Sequence, residues 1–152
     1  MEKEEDLLEK FKIAITSTIK SISNDEKVEV VFGSSVKTTN SETIRLSEIV
    51  STNNKINHVK IRAQADAEAL KIRYSNKEIL KNNAPEGKIS KQLYNIAEKI
   101  RCEKIGSIEF QGTKRNISEY YKERIENMDF NNNRDSTIEA FEHYLRLNIL
   151  NY

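Results

Sequence analysis

The residues of this 152-residue chain whose type and spacing could do chemistry are charged ones set into otherwise apolar helical stretches. Arg62 and Asp66 are four apart, and Glu98 and Arg101 are three apart. Either spacing brings both side chains to one face of a helix and permits an ion pair. As plain surface pairs they would contribute about 0.3 kcal/mol each. As a polar network shared by two packed helices they would matter more, because every charge taken out of water needs a partner. If Arg101 were fully buried in such a network, Arg101→Ala would cost about 3 to 5 kcal/mol. A third possibility is a docking surface. The expectation is a structural or interface role, and no catalytic residue is assigned.

Other chemistries lack their parts. A P-loop needs backbone amides wrapped around phosphate plus a lysine, but Gly33, Gly87, Gly106 and Gly112 are isolated and none precedes a Lys-Ser or Lys-Thr pair. Ser34 and Ser35 after Gly33 have no nucleophile-elbow spacing and suit a strand-end turn. A zinc site needs three or four converging ligands. His58 and His143 fall in separate helical stretches; His143 has Glu139 four residues before it, which is half a site at most and reads better as an exposed helix pair. Cys102 is the one cysteine, so a disulfide framework within the chain is impossible and a reducing compartment is expected. No metal site or bound cofactor is assigned to this chain.

The elements that must position these residues are helical by expectation. Charged residues are 32% and hydrophobic ones 37% of the chain, so apolar side chains have to be placed on one stripe per element. Four Gly and one Pro are too few for the corners of a barrel or sandwich. The class expected is α+β, predominantly α-helical, with about five to six helices and a small two-stranded β ribbon near the N-terminus, as a single helical domain over 1–152. Lys plus Arg is 25 against 24 for Asp plus Glu, a net charge of +1, which gives no field to attract nucleic acid or an anionic membrane. The bias is local: residues 77–115 hold nine basic and five acidic side chains. The start, MEKEEDLLEK, is acidic without an apolar signal core, and no stretch nears the apolar run of about 18 that a membrane span needs. A cytoplasmic protein is expected.

Leu7, Leu8, Phe11, Ile15, Ile19 and Ile22 recur at helical steps. VEVVF, ended by Gly33, and TIRL from Thr43 read as two strands joined by about ten polar residues, a loose hairpin or ribbon. A helix from about Asn54 to Tyr74 carries two apolar series and should be central, with Val59, Ala63, Leu70 and Ile96 of the next long helix buried. Ser75 to Glu78 has capping-box spacing ahead of a short helix. The next stripe is Ile89, Leu93, Ile96, Ala97 and Ile100, with Gly106 as C-cap. Capping spacings at Asn116 and Ser136 introduce two more helices, striped by Ile117, Tyr121, Ile125, Met128 and by Ile138, Phe141, Leu145, Ile149.

The order FKIAITSTIKSI, VEVVFG, RAQADAEALKIR, PEGKISKQLYNIAEKIRCEKIG resembles the N-terminal region of the cobaltochelatase T subunit, the CobT family of cobalamin biosynthesis, from about Phe11 to Gly112. Its best segment fills the pattern Pro-x-Gly, a basic residue, an aromatic, then Glu-x-x-Arg-x-Glu-x-x-Gly with Pro85, Gly87, Lys91, Tyr94, Glu98, Arg101, Glu103 and Gly106. Arg62 and Asp66 fill the Arg-x-x-x-Asp element of the second long helix. The resemblance thus adds Glu103 to the residues of a structural or interface network. Two departures are visible. Many family members carry a His-Asp pair where this chain has Arg73, Tyr74, Ser75 and Asn76, so a metal or acid/base role tied to that pair does not transfer. The von Willebrand A-type domain of longer members is expected to be absent.

The resemblance implies a subunit of an ATP-dependent ligase that forms nitrogen–metal bonds, inserting Co(II) into hydrogenobyrinic acid a,c-diamide. Its partners would be an AAA+ S subunit and a large N subunit that holds the tetrapyrrole. Self-association into a homo-oligomer is compatible with it, while nucleic acid and membrane are not expected as partners. ATP, magnesium and cobalt would belong to the whole complex, and this chain would hold no complete active site. The alternative is an adaptor or interaction module for another AAA+ ATPase without cobalt chemistry. A free-standing metal-dependent hydrolase is disfavoured by the missing His cluster.

Overall fold

A computed structural model describes residues 2–34, 42–49, 51–52, 55–127 and 134–150. Among them are six helices and four short strands: α1 (Glu2–Ser23), β1 (Glu29–Phe32), β2 (Thr43–Leu46), β3 (Ser51–Thr52), β4 (Lys55–Ile56), α2 (His58–Tyr74), α3 (Lys77–Asn82), α4 (Lys88–Glu109), α5 (Gln111–Glu126) and α6 (Arg134–Leu150). The fold is predominantly helical with a two-stranded sheet near the N-terminus, the class expected. The chain divides into two compact units, Met1–Arg73 and Tyr74–Tyr152.

In the first unit α1 buries Ile15, Ile19 and Ile22, but Leu7, at the head of the expected stripe, is 58% exposed. The helix therefore sinks its apolar face only in its second half. Asn24 ends it with φ +56, and the Asp25 amide donates back to the Lys20 carbonyl at 3.3 Å, the six-residue bond of a Schellman stop. Arg73 Nη1 donates to the Ile22 carbonyl at 3.1 Å, a cation where the helix dipole favours one. The strands correct one expectation. β1 and β2 pair in parallel, with Glu29 opposite Thr43 and Phe32 opposite Leu46, so they are not a hairpin, which would run antiparallel. Gly33 leaves β1 with φ +76, a value that favours glycine, and Ile44 and Leu46 point inward while Arg45 is exposed.

α2 starts at His58, later than expected, because Lys55–Ile56 form β4 and pair antiparallel with β3; Asn54 lies outside the described residues. Asn57 caps it, its Oδ1 accepting from the Lys60 amide at 3.1 Å. The Phe11 and His58 rings meet edge to face at 4.8 Å. That contact near the start of α2 and the Arg73–Ile22 contact near its end fall in the same order along α1, so the two helices run in the same direction. Ile61, Ala63, Ala65, Ala67, Ala69 and Leu70 are all buried, so the breadth of the apolar arc is real, although Val59 is only half-buried. Gln64 Oε1 accepts the Ser47 amide at 3.1 Å, fastening the end of β2 to the same helix.

In the second unit Asn76, not Ser75, caps α3, accepting from the amides of Glu78 and Ile79. α4 runs through Gly106 to Glu109, so Gly106 is a buried interior residue and not a C-cap. The joint is Phe110, in extended conformation between α4 and α5; its amide donates to the Gly106 carbonyl at 2.7 Å and its carbonyl accepts from Thr113 Oγ1 at 2.8 Å. Asn116 and Ser136 accordingly lie inside helices and are not caps. α4 packs against both α5 and α6 and buries Ile100, Cys102, Glu103 and Ser107. Ile117 and Tyr121 of the expected α5 stripe are buried, whereas Met128 lies outside the described residues. Ile89 is 64% exposed and Ile96 half-buried. No helix among the described residues is long and apolar enough to cross a membrane.

Candidate functional site

Two ionic clusters organise the second unit. The first follows from the three-residue spacing on α4. Arg101 Nε donates to Glu98 Oε2 at 2.7 Å and Nη2 to Glu98 Oε1 at 2.9 Å; Nη2 also donates to the Tyr74 carbonyl at 2.8 Å. Ser75 Oγ donates to Glu98 Oε1 at 2.7 Å, and the Tyr74 hydroxyl donates to the Glu109 carboxylate. Tyr74 and Ser75 thus supply a carbonyl and a hydroxyl to the Glu98–Arg101 pair. Hydrogen bonding from Arg101 holds the Glu98 carboxyl below its ordinary range, against partial burial, with Ser75 adding to the effect. The Arg101 side chain is 48% exposed and that of Glu98 15%. Beside the pair lies an open cleft of about 350 Å³ lined by Tyr74, Asn76, Ile79, Leu80, Tyr94, Glu98 and Arg101.

The second cluster is buried. Arg146 on α6 donates from Nη1 and Nη2 to the two carboxylate oxygens of Glu103 on α4. Its Nη2 also reaches the Tyr121 hydroxyl at 2.7 Å and Glu142 Oε1 at 2.9 Å, and the guanidinium lies 3.6 Å from the centroid of the Tyr121 ring, a cation–π contact. Tyr121 in turn donates to Glu142 at 2.9 Å. Arg124 on α5 closes the outer edge, bonding Glu139 at 2.7 Å and reaching Glu142 at 3.6 Å. One arginine therefore ties together all three long helices of this unit. Burial pushes the Glu103 carboxyl up, a shift that Arg146 opposes. Burial also presses on Glu142, but Arg146, Tyr121 and Arg124 together outweigh it and hold that carboxyl below its ordinary range. Arg146 Nε is buried without a hydrogen-bond partner.

The remaining candidates are placed as follows. Arg62 is exposed on α2 and Asp66, one turn on, is 3% exposed in the core of the first unit and not without a partner. Glu98, Arg101 and Glu103 belong to the second unit, where Glu103 sides with Arg146 and not with its neighbours on α4. His143 is not the exposed partner of Glu139 that its spacing suggested. It is half-buried, its Nε2 has no hydrogen-bond partner, and burial together with Arg124 lowers its pKa. The groove it lines with Tyr121, Arg124, Glu139 and Glu142 has no room for a water-sized molecule. Among the described residues no three His, Cys, Asp or Glu side chains converge as metal ligands.

Arg146, Glu142 and Tyr121 are not among the site residues that spacing singles out. A signal exists: Ile138, Glu142, Arg146 and Leu150 follow one another at four-residue steps, an acid–base pair bracketed by apolar residues on one helical row. The apolar stripe one position away, through Phe141 and Leu145, masks it. No solved structure matches the chain. A family model described as cobalamin biosynthesis protein CobT matches residues 5–148, a span that contains every residue of both clusters; the chain belongs to the CobT family of cobalamin biosynthesis proteins.

Proposed function

We propose that this chain is a non-motor subunit of the ATP-dependent aerobic cobaltochelatase, one that assembles with the AAA+ S subunit and the large N subunit for Co(II) insertion into hydrogenobyrinic acid a,c-diamide. The observation that carries the reading is the family match over 5–148. The buried Glu103–Arg146–Tyr121–Glu142 network supports it physically. Charges that cannot be left unpaired hold α4, α5 and α6 in one register, a property that suits a part transmitting movement from a motor. In this reading ATP and magnesium are used by the motor, cobalt is cargo delivered to the N subunit, and the assembly works in the cytoplasm. Nucleic acid and membrane play no part.

The test is affinity capture of the tagged chain mixed with purified S and N subunits, with and without ATP, followed by a reconstituted chelation assay. Nucleotide-dependent retention of the S subunit together with faster Co(II) insertion is the expected result. Retention of the motor with no effect on chelation favours the adaptor reading. Failure to retain either subunit removes the proposal.

A further inference from the structure

The charges of α6 face the protein and its uncharged side faces water. A surface helix ordinarily does the reverse, turning its apolar stripe to the core and its charges to solvent. Its neighbour α5 follows that rule, exposing Lys114, Arg115, Glu119, Lys122, Glu123 and Glu126. Between Thr137 and Leu150 the charged side chains of α6 are Glu139, Glu142 and Arg146, and all three are bonded to α4 or α5: Glu139 to Arg124, Glu142 to Tyr121 and Arg146 to Glu103. Thr137, Ala140, Tyr144, Leu147 and Asn148 are exposed instead. Steps of three and four residues set them on one face, and at 3.6 residues per turn that face lies opposite the charged row. Tyr144 is 64% and Leu147 50% exposed, while the Asn148 side-chain amide donates back to the Tyr144 carbonyl at 2.7 Å. In a chain of which 32% is charged, this helix shows water a strip with apolar area and no charge.

That absence of charge decides what can cover the strip. A surface bearing Lys, Arg, Asp or Glu would have those groups stripped of water with no opposite charge on α6 to receive them. Nucleic acid and an anionic bilayer are held by cationic side chains, and the strip has none. It suits a protein face equally free of charge, and one such face accompanies the chain wherever it is: the same strip on a second copy. A two-fold axis sets like against like, an arrangement that a charged face resists and an uncharged one allows. Ala140 leaves room for the close approach of packed helices, whose axes lie about 8 to 10 Å apart.

We propose that the outer face of α6 is a self-association surface, on which a second copy of this chain lays the same face around Ala140, Tyr144 and Leu147. The 17 residues of α6 make a helix about 25 Å long and about 10 Å wide. One face of it covers less than the roughly 800 Å² per partner of a standard interface, so the dimer is a reversible one. This goes beyond the subunit role proposed above and does not rest on it.

Sedimentation velocity on the full chain, from about 1 µM to 1 mM, tests it. A monomer–dimer equilibrium is expected, half-associated between about 10 and 300 µM. Leu147→Glu and Tyr144→Glu, at exposed positions outside the ion-pair network, should each weaken it about tenfold or more while melting like the parent; either one decides the matter if the other misfolds. Ile13→Glu, on α1 at a residue 59% exposed, should leave the equilibrium unchanged. The proposal is overturned by a chain still monomeric at about 1 mM, including one whose Leu147→Glu variant loses capture of the S subunit and so assigns the face to that partner. It is overturned equally by association that survives both α6 substitutions, or by an Ile13→Glu chain that dissociates as readily as they do, which would mark unspecific apolar adhesion.

Discussion

Arg146 and Glu103 form a two-pronged ion pair 43 residues apart in the chain, with 1% and 0% of their side chains exposed. A guanidinium cannot shed its charge, so removing its partner strands a cation in the core. Removing the arginine strands Glu103 in the same way, and Arg146→Ala is expected to destabilise the fold by about 3 to 5 kcal/mol, read by chemical denaturation. Glu103→Leu combined with Arg146→Met should recover most of that loss, because an apolar pair of similar volume carries no desolvation cost. A double variant as unstable as Arg146→Ala would mean that Tyr121 and Glu142 depend on the arginine more than Glu103 does.

The acid side of the stability profile should be set by Glu98 and Glu142. Both carboxyls are held below the ordinary value of 4.5. The stabilisation they give is fully present above that value and lost as pH falls through the depressed values. Glu103, pushed up by burial, works with the opposite sign, gaining its proton in the folded state first as pH falls toward 4.5. Glu142→Gln should shrink the loss of stability below pH 4.5; an acid limb unchanged by both Glu142→Gln and Glu98→Gln would place its origin elsewhere.

Leu70 and Arg101 should separate core from surface. Leu70 is 0% exposed, and Leu70→Ala is expected to cost about 2 to 5 kcal/mol. Arg101 has 48% of its side chain exposed, so the large cost that full burial would have implied is replaced by about 0.5 to 1.5 kcal/mol for Arg101→Ala. Thermal melts of the two variants give the comparison directly, and an Arg101→Ala loss equal to that of Leu70→Ala would contradict the observed exposure.

Cys102 is fully buried, and burial pushes its thiol up to about 11. At pH 8 the thiolate fraction is then about 100-fold lower than for an ordinary cysteine. Iodoacetamide should modify the folded chain at least that much more slowly than the chain in denaturant. Equal rates would show that the α4 core opens readily.

The sequence by itself determined the helical class, the centres of the main apolar stripes though not their ends, and the spacing that lets Glu98 and Arg101 pair, because each depends on residues within one or two turns of one another. The alternation in TIRL likewise puts Ile44 and Leu46 on one face of their strand, the face that is buried. The tertiary structure alone decided what links distant segments. The parallel pairing of β1 with β2 depends on how the chain returns between them, which a polar connection of about ten residues does not encode. The passage of α4 through Gly106 depends on Phe110 making the corner four residues later, although glycine is a good helix stop in isolation. Above all, Glu103 was legible only as one charge in a helical pattern. Its partner, Arg146, comes from another helix, and the energy that pairs them arises only once packing has removed both from water.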